Sequence, residues 1–406
     1  MTRLQVETTQ SINEFQSDRE RNTLLQRKNQ IVLWQNPLSE TVIGMKSLFL
    51  FLIALSSLAQ ALEHVYVGTA GREKPGAIYV CDFADGKLSK PRLVTATGAN
   101  TRIELSPDQT TLFACRASLD DRPAELISFQ RNAKGGLKEI NRTKANVAHF
   151  CSLTISDTKL LGASYNDGVA SSFAIEKNGS IGPQLSRLEL PRFPKGKRTL
   201  ARAHDVEITK SGRFAFVPDI FNNRIYTLKI DPSNGSLSQS GFVTSGNFQG
   251  PRHLILNQEE TCLYTLCQTG SNIVAFRHQG EGSLTEFQSI STLPSDYQGK
   301  QNHSAEILIH PSGKHLYASN RVHNSLVVFS IDASGALTKT QSISSGGEMP
   351  WSFVFDTKGT HLICSNLKSN NLVVFKIDPT SGQLTRQENQ VTVPEPISLA
   401  IAPAAE

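Results

Sequence analysis

The chain has 406 residues, of which 38% are hydrophobic and 19% are charged, a composition typical of a globular protein. Its formal net charge is only +5, and the basic residues are scattered except for one short run, Lys195–Arg198, which we interpret as a solvated loop. These values argue against a nucleic-acid-binding surface and leave room for two ordinary domains or one large closed β domain.

The first 61 residues differ from the rest of the chain. Residues 1–44 are rich in Gln, Asn, Arg and Glu and have no sustained hydrophobic period. From Met45 the sequence has a short basic start, an apolar run over Leu48–Leu58 and a small-x-small site at Ala59-Gln60-Ala61, the pattern of a secretory signal peptide. The apolar run is 11 residues long, shorter than the roughly 20 that a transmembrane helix needs.

We therefore expect translation to begin at Met45. Residues 1–44 would then be a non-native or disordered extension, residues 45–61 a signal peptide, and the mature protein would be exported to the periplasm or secreted, without membrane association after cleavage. An upstream start would leave it in the cytoplasm.

From His64 onward the sequence repeats a unit of short strands. The clearest copy, Ser304–Phe329, contains an apolar run, a Pro-Ser-Gly-Lys turn, a second run, a polar loop and a third run. Hydrophobicity alternates with a period of two, and no helical pattern occurs. The last apolar residue of each first strand recurs every 46 to 53 residues, at Leu105, Ile155, Ile208, Leu256, Ile309, Phe355 and Ile401. This spacing predicts an all-β fold, a seven-bladed β-propeller of four-stranded blades over residues 62–406.

The last repeat is incomplete. Ile397–Pro403 supplies one strand, and the missing strands of that blade are found at the other end, in His64–Thr69 and Ala77–Asp82. We expect the C-terminal strand to pair with these N-terminal strands, because closing the ring removes exposed sheet edges.

The six cysteines contain no C-x-x-C pair, so neither a zinc ribbon nor a redox motif is indicated, and we expect all six to be buried. No residue spacing argues for a metal, although Glu, Asp and Asn oxygens at a channel mouth could hold a hard cation. We expect no cofactor and a monomeric protein.

In a propeller the first strand of every blade lines the central channel, so equivalent residues converge. The residues four and three places before the seven anchors are Thr101/Arg102, Cys151/Ser152, His204/Asp205, Arg252/His253, Ala305/Glu306, Trp351/Ser352 and Ile397/Ser398. A second ring, at the ends of the second strands, contains Arg116, Tyr165, Asp219, Gln268, Asn320/Arg321 and Asn366, with Arg224 just beyond. The two rings need not lie on the same face.

These rings are open to two interpretations. The charged members would suit a polar pocket in which arginines bind an anion and stabilise an oxyanion while His or Glu activates water. The alternative is a water-filled channel lined by salt-bridged polar residues.

Three segments, Ser304–Arg321, Gly250–Leu266 and Phe214–Ile225, resemble the seven-bladed lactonase family, which includes propeller-type 6-phosphogluconolactonases and carboxymuconate-lactonizing enzymes. The resemblance extends from about His64 to Pro403. It implies hydrolysis of a small-molecule, sugar-derived lactone without an organic cofactor.

The resemblance also implies the residues of the site. His204 or Glu306 would activate the water, and Arg252, with Arg224 or Arg321, would hold a carboxylate or phosphate and the developing oxyanion. His253, Asp205 and Trp351 are further candidates for binding the substrate. Trp351 stands where the family typically has an arginine, and RAHDV retains one histidine, His204, of the family's H-x-H.

These departures, and the predicted export, weaken the case for a phosphorylated substrate. Two other functions remain open from the sequence: an exported propeller that binds a ligand or protein without catalysis, and a cycloisomerase that acts on a muconate lactone.

Overall fold

The computed structural model describes residues 62–117, 123–156, 158–195 and 198–404. The predicted extension and signal peptide lie outside these residues. The described residues form strands joined by turns and loops, with no helix among them, and the strands build the seven sheets of a seven-bladed β-propeller and one separate two-stranded hairpin.

Blades 2 to 7 are four-stranded antiparallel sheets, blade 1 has five strands, and the innermost strand of each blade lies along the channel. Blade 1 contains β1 (Glu63–Thr69), β2 (Ala77–Ala84), β3 (Lys87–Leu88), β4 (Arg92–Ala96) and the C-terminal strand β31 (Pro396–Pro403). Both β3 and β4 pair with β2, which gives this blade its fifth strand. Blade 2 contains β5 (Thr101–Leu105), β6 (Thr111–Arg116), β7 (Glu125–Arg131) and β8 (Leu137–Lys144), and blade 3 contains β9 (Ser152–Ser156), β10 (Lys159–Ser164), β11 (Val169–Ile175) and β12 (Ile181–Glu189). A hairpin of β13 (Phe193–Lys195) and β14 (Arg198–Leu200) follows, and blade 4 contains β15 (Glu207–Ile208), β16 (Phe214–Asp219), β17 (Arg224–Ile230) and β18 (Leu237–Thr244).

The last three blades continue the same order. Blade 5 contains β19 (Pro251–Leu256), β20 (Cys262–Cys267), β21 (Asn272–Gln279) and β22 (Ser283–Ser291). Blade 6 contains β23 (Ser304–Ile309), β24 (His315–Asn320), β25 (Ser325–Ile331) and β26 (Leu337–Ser344), and blade 7 contains β27 (Pro350–Phe355), β28 (His361–Asn366), β29 (Asn371–Ile377) and β30 (Leu384–Thr392). All seven predicted anchors lie on innermost strands.

The C-terminal strand closes the ring as predicted. β31 pairs antiparallel with β1, from Glu63 opposite Pro403 to Gly68 opposite Ser398, and is the innermost strand of blade 1. The Ser398 hydroxyl then accepts a hydrogen bond from the Ile103 N–H at 3.1 Å, which joins this strand to blade 2. The two ends of the propeller are therefore held together by a β ladder.

The hydrophobic core lies between the blades. In the described part of the chain, seven clusters of buried apolar side chains fill the seven interfaces between neighbouring blades. The alternation of each strand produces this arrangement, because its two faces pack against different neighbours. All six cysteines are buried and unpaired, as expected from the sequence.

The innermost strand of blade 4 departs from the pattern. β15 has only two residues, and the segment before it is held by an isolated bridge between Ala203 and Asp219 and by a 3.2 Å hydrogen bond from the His204 N–H to the Pro218 carbonyl. The sequence did not predict this interruption, which determines where His204 lies. Within the described ranges, no helix is long and apolar enough to cross a membrane.

Candidate active site

The starts of the innermost strands of blades 4 to 7 meet around one mouth of the channel, which we call the upper mouth. His204 lies just before β15, Arg252 and His253 on β19, and Trp351 on β27. The rings of His204 and His253 are 5.1 Å apart between centroids, and the Arg252 guanidinium carbon is 5.8 Å from the centre of the Trp351 ring. Side chains far apart in sequence therefore share one site.

A hydrogen-bonded chain links Arg252, His253 and Glu306. The Nδ1 of His253 lies 2.7 Å from a Glu306 carboxylate oxygen, and its Nε2 lies 2.9 Å from a terminal nitrogen of Arg252. Because a guanidinium can only donate, Nε2 is the accepting nitrogen, and Nδ1 carries the proton and donates to Glu306. Arg252 also donates to the Ala305 carbonyl oxygen. The carboxylate thus orients the imidazole, and the imidazole orients the guanidinium.

Burial and charge determine the ionisation of this chain. Arg252 is 1% exposed and His253 4%, and burial lowers the pKa of Arg252 to about 10 and also lowers that of His253, where the Arg252 charge adds to the effect. Burial acts to raise the pKa of Glu306, but the interactions with His253, Arg102 and Arg252 outweigh it and hold that pKa below its ordinary value. At neutral pH the chain is a guanidinium, a neutral imidazole and a carboxylate.

His204 lies beside this chain, and no hydrogen bond joins its ring to another described residue. The ring stands edge-on to Tyr165, with centroids 5.7 Å apart, and its Nδ1 is buried with no partner among the described residues. Burial, followed by the charge of Arg252, lowers the pKa of His204 well below its ordinary value. Since no hydrogen bond to Nδ1 fixes the tautomer of this neutral imidazole, either ring nitrogen can carry the lone pair that accepts a proton from water.

Asp205, a predicted substrate-binding residue, has both carboxylate oxygens in contact with the protein. One oxygen accepts from the Ser152 hydroxyl at 2.5 Å and from the Val206 N–H at 2.9 Å, and the other accepts from the Leu254 N–H at 2.9 Å. These bonds tie blades 3, 4 and 5 together where the innermost strand of blade 4 is interrupted. The structure therefore assigns Asp205 to holding the backbone beside His204.

Trp351 is surrounded by guanidinium groups. The guanidinium carbons of Arg321, Arg252 and Arg72 lie 4.7, 5.8 and 6.0 Å from the centre of its ring. Burial, and then the Arg252 charge, lowers the pKa of Arg321 to about 9, and its Nε donates to the His303 carbonyl oxygen at 3.1 Å. Arg321 belongs to the second predicted ring, so the two rings meet on the same face at Trp351.

Arg224, another predicted substrate-binding residue, lies away from the others. Its guanidinium carbon is 3.9 Å from the centre of the Phe193 ring and 4.4 Å from that of Phe242, on the β13–β14 hairpin and the outermost strand of blade 4. The third strand of a blade lies outside the two strands nearest the channel, and this stacking directs Arg224 outward. The structure does not bring Arg224 to the upper mouth.

Three residues of the site were not selected from the sequence. Arg102 donates to the Ile397 carbonyl at 2.9 Å, and its charge helps to lower the pKa of Glu306; Tyr165 faces His204. Arg102 and Tyr165 lie at positions of the two predicted rings, and this was the sequence signal that could have identified them. Arg72 comes from the β1–β2 loop, which is equivalent to the β24–β25 loop after Arg321, but the second predicted ring was not extended to this blade.

Below this site the channel widens into a cavity of about 620 Å³. Its walls include His253, Glu306, Glu104 and Glu207, and it extends to Pro311 at the turns that follow the innermost strands. Burial raises the pKa of Glu104 to about 7 and that of Glu207 to about 8. Across the described residues, no three His, Cys, Asp or Glu side chains are placed to hold a metal ion together.

The seven blades and the polar upper mouth define the class of the protein, a seven-bladed β-propeller with an enzyme-like channel mouth. Residues 64–401 match the family model described as "Lactonase, 7-bladed beta-propeller". The match spans most of the chain, and the protein belongs to this family, as its sequence motifs predicted.

Individual relatives agree with this assignment. The chain is 26% identical over 339 residues to a 6-phosphogluconolactonase of Bacillus subtilis, covering 82% of this chain and 96% of that protein. It is 27% identical over 310 residues to a 6-phosphogluconolactonase of Formosa agariphila, covering 72% and 86% of the two chains. The solved structure of a periplasmic gluconolactonase of Pseudomonas aeruginosa has the same fold, with a TM-score of 0.77, 24% identity and coverage of 85% of this chain and all of that one.

Proposed function

We propose that the protein is a hydrolase that opens a sugar-derived lactone, with a 6-phosphogluconolactone as the substrate that best matches its relatives. The observation that carries the proposal is the neutral, unpartnered imidazole of His204 beside the buried Arg252 guanidinium. The family assignment and the names of the relatives support the reaction class.

In the proposed reaction His204 takes a proton from a water molecule whose oxygen attacks the lactone carbonyl carbon. The carbonyl oxygen becomes an oxyanion, which the Arg252 guanidinium stabilises in surroundings that are almost fully shielded from solvent. Collapse of the intermediate breaks the bond between the carbonyl carbon and the ring oxygen. The leaving alkoxide takes the proton back from His204, and the hydroxy acid formed ionises and releases one proton to solvent.

Glu306 acts through its neighbours in this proposal. Its carboxylate is occupied by the His253 N–H at 2.7 Å, and the other ring nitrogen of His253 accepts from Arg252. We therefore assign Glu306 and His253 to positioning Arg252, and assign the role of base to His204. The two bases predicted from the sequence are His204 and Glu306, and of these the His204 side chain has no hydrogen bond to another described residue.

The test is alkali uptake at constant pH with glucono-lactone and its 6-phosphate as substrates. We expect the folded protein to accelerate proton release above spontaneous hydrolysis, most strongly for the phosphorylated lactone. Folded protein that gives only the spontaneous rate with both substrates would overturn the proposal. Ligand binding without turnover would then indicate a binding propeller, and turnover of a muconate lactone alone would indicate a cycloisomerase.

The cellular location is a separate proposal. We propose that the protein is exported by the signal sequence at residues 45–61. N-terminal sequencing of the native protein should give Leu62 as the first residue, and a mature N-terminus upstream of Met45 would contradict this.

A further inference from the structure

The loop after β1 places a third arginine at the upper mouth. The Arg72 guanidinium carbon lies 6.0 Å from the centre of the Trp351 ring, on which Arg321 and Arg252 also converge. Among the described residues none of these three arginines forms an ion pair with a carboxylate. Three like charges around one indole repel one another, so the group is left with positive charge that an anion could neutralise.

A buried carboxylate holds this loop in place. One oxygen of Glu395 accepts hydrogen bonds from the backbone N–H groups of Arg72 at 2.7 Å and Glu73 at 3.0 Å. The Glu395 carbonyl accepts from the Ala70 N–H at 2.9 Å, and Glu395 is only 7% exposed. Because Glu395 immediately precedes β31, the ladder that closes the ring also fixes the backbone of Arg72.

The three arginines differ in depth. Arg252 is 1% exposed and lies next to the His204 and His253 rings, whereas Arg321 is partly buried and Arg72 is exposed. The Nε of Arg252 is buried and has no partner among the described residues. Arg252 is therefore placed to stabilise the reacting carbonyl of the substrate, and Arg321 and Arg72 are available to bind a group further out on the same substrate molecule.

We propose that Arg72 and Arg321 form a second anion subsite, which binds a phosphate or carboxylate at the end of the substrate remote from the lactone carbonyl, and that Glu395 positions Arg72 in it. Trp351 forms the apolar wall between this subsite and Arg252. The assignment of the two ends rests on the proposed lactonase function, since that function places the carbonyl at His204 and Arg252.

Binding can be measured without turnover. The sequence has two tryptophans, Trp34 and Trp351, so in a Trp34→Phe background the intrinsic fluorescence reports on Trp351 at the subsite. The titrants are 6-phosphogluconate and gluconate, ring-opened acids that cannot be hydrolysed as lactones. They share one carboxylate and differ by the phosphate, and inorganic phosphate serves as a competitor.

We expect 6-phosphogluconate to bind at least tenfold more tightly than gluconate. Arg72→Ala should weaken 6-phosphogluconate binding about five- to tenfold and leave gluconate binding unchanged, because a charge-assisted bond at a partly exposed site is lost. Glu395→Ala should likewise weaken the binding of 6-phosphogluconate relative to that of gluconate. Lys74→Ala, which removes the same charge from an exposed residue of the same loop, is the matched control and should change both affinities less than twofold.

The proposal is overturned if Arg72→Ala and Lys74→Ala have the same effect on the affinities for both acids. Arg72 is exposed, so its replacement should leave folding intact and its result decides the matter even if Glu395→Ala is unstable. If inorganic phosphate removes the difference in affinity between the two acids, the subsite binds phosphate. If acetate competes and phosphate does not, the subsite binds a carboxylate. Absence of hydrolysis would overturn the proposed function, but these binding results would still decide the subsite.

Discussion

Replacing Glu306 by glutamine tests how the site holds Arg252. The wild-type carboxylate accepts the His253 N–H at 2.7 Å with its side chain 12% exposed, which is the geometry of a charge-assisted hydrogen bond in a shielded site. Such a bond contributes about 1.5–3 kcal/mol, and a neutral amide retains roughly half of that. The loss of about 0.75–1.5 kcal/mol corresponds to a decrease in rate of roughly four- to thirteenfold.

The decrease should fall on kcat. Arg252 stabilises charge that develops only in the transition state, so its misorientation should lower kcat and leave KM nearly unchanged. The assay is initial-rate proton release at constant pH over a range of lactone concentrations. Glu104→Gln is the matched control, because it makes the same carboxyl-to-amide change on an innermost strand of the same channel without touching His253.

The control should retain kcat within about twofold of the wild type. A Glu306→Gln protein with wild-type kcat would refute the positioning of Arg252 through His253. A variant that changed only KM would refute it equally, since Glu306 would then act on substrate binding.

Three further predictions concern pH and closure. The folded-state pKa values of Glu104, about 7, and Glu207, about 8, lie above their ordinary value of 4.5, so the stability that these groups contribute is present below pH 4.5 and is lost as the pH rises to about 8. Chemical denaturation between pH 7 and 8, above the range in which unfolded histidines titrate, should show this decline, and Glu104→Gln/Glu207→Gln should flatten it; an equally steep decline in the double variant would contradict the assignment. Because the pKa of His204 is held well below 6.5, kcat/KM should stay level as the pH falls from 8 to 6, and a decline centred near 6.5 would contradict its role as the base. Deleting residues 397–406 removes most of β31 and reopens the ring, so calorimetry should show a much lower Tm and reduced cooperativity, and an unchanged Tm would refute closure by that strand.

The repeat made most of the fold predictable. Anchors such as Leu105 and Ile309 recur because every blade needs an apolar residue where its innermost strand meets the turn, and the incomplete last repeat required its partner strands at the other end of the chain. Features without a counterpart in the repeat were not predictable. The β13–β14 hairpin and the two-residue β15 depend on local backbone contacts, including the bridge between Ala203 and Asp219.

The same distinction between repeated and unrepeated features applies to the candidate site. His204, Arg252 and Glu306 were found because equivalent positions on innermost strands converge around the channel axis. The orientations of the Asp205 and Arg224 side chains could not be predicted, because each depends on partners that only the folded chain brings close. The Asp205 carboxylate accepts hydrogen bonds from blades 3 and 5, and the Arg224 guanidinium stacks on two phenylalanine rings.

The central claim is that the upper mouth is the active site and that His204 is its base. The most direct measurement is kcat/KM of His204→Ala for the lactone, with His278→Ala as a histidine control on β21, the third strand of blade 5, outside the proposed machinery. General base catalysis contributes a factor of roughly 10²–10⁴, so His204→Ala should lose about that much at an unchanged Tm while His278→Ala keeps wild-type activity. A folded His204→Ala protein with wild-type kcat/KM would contradict the account.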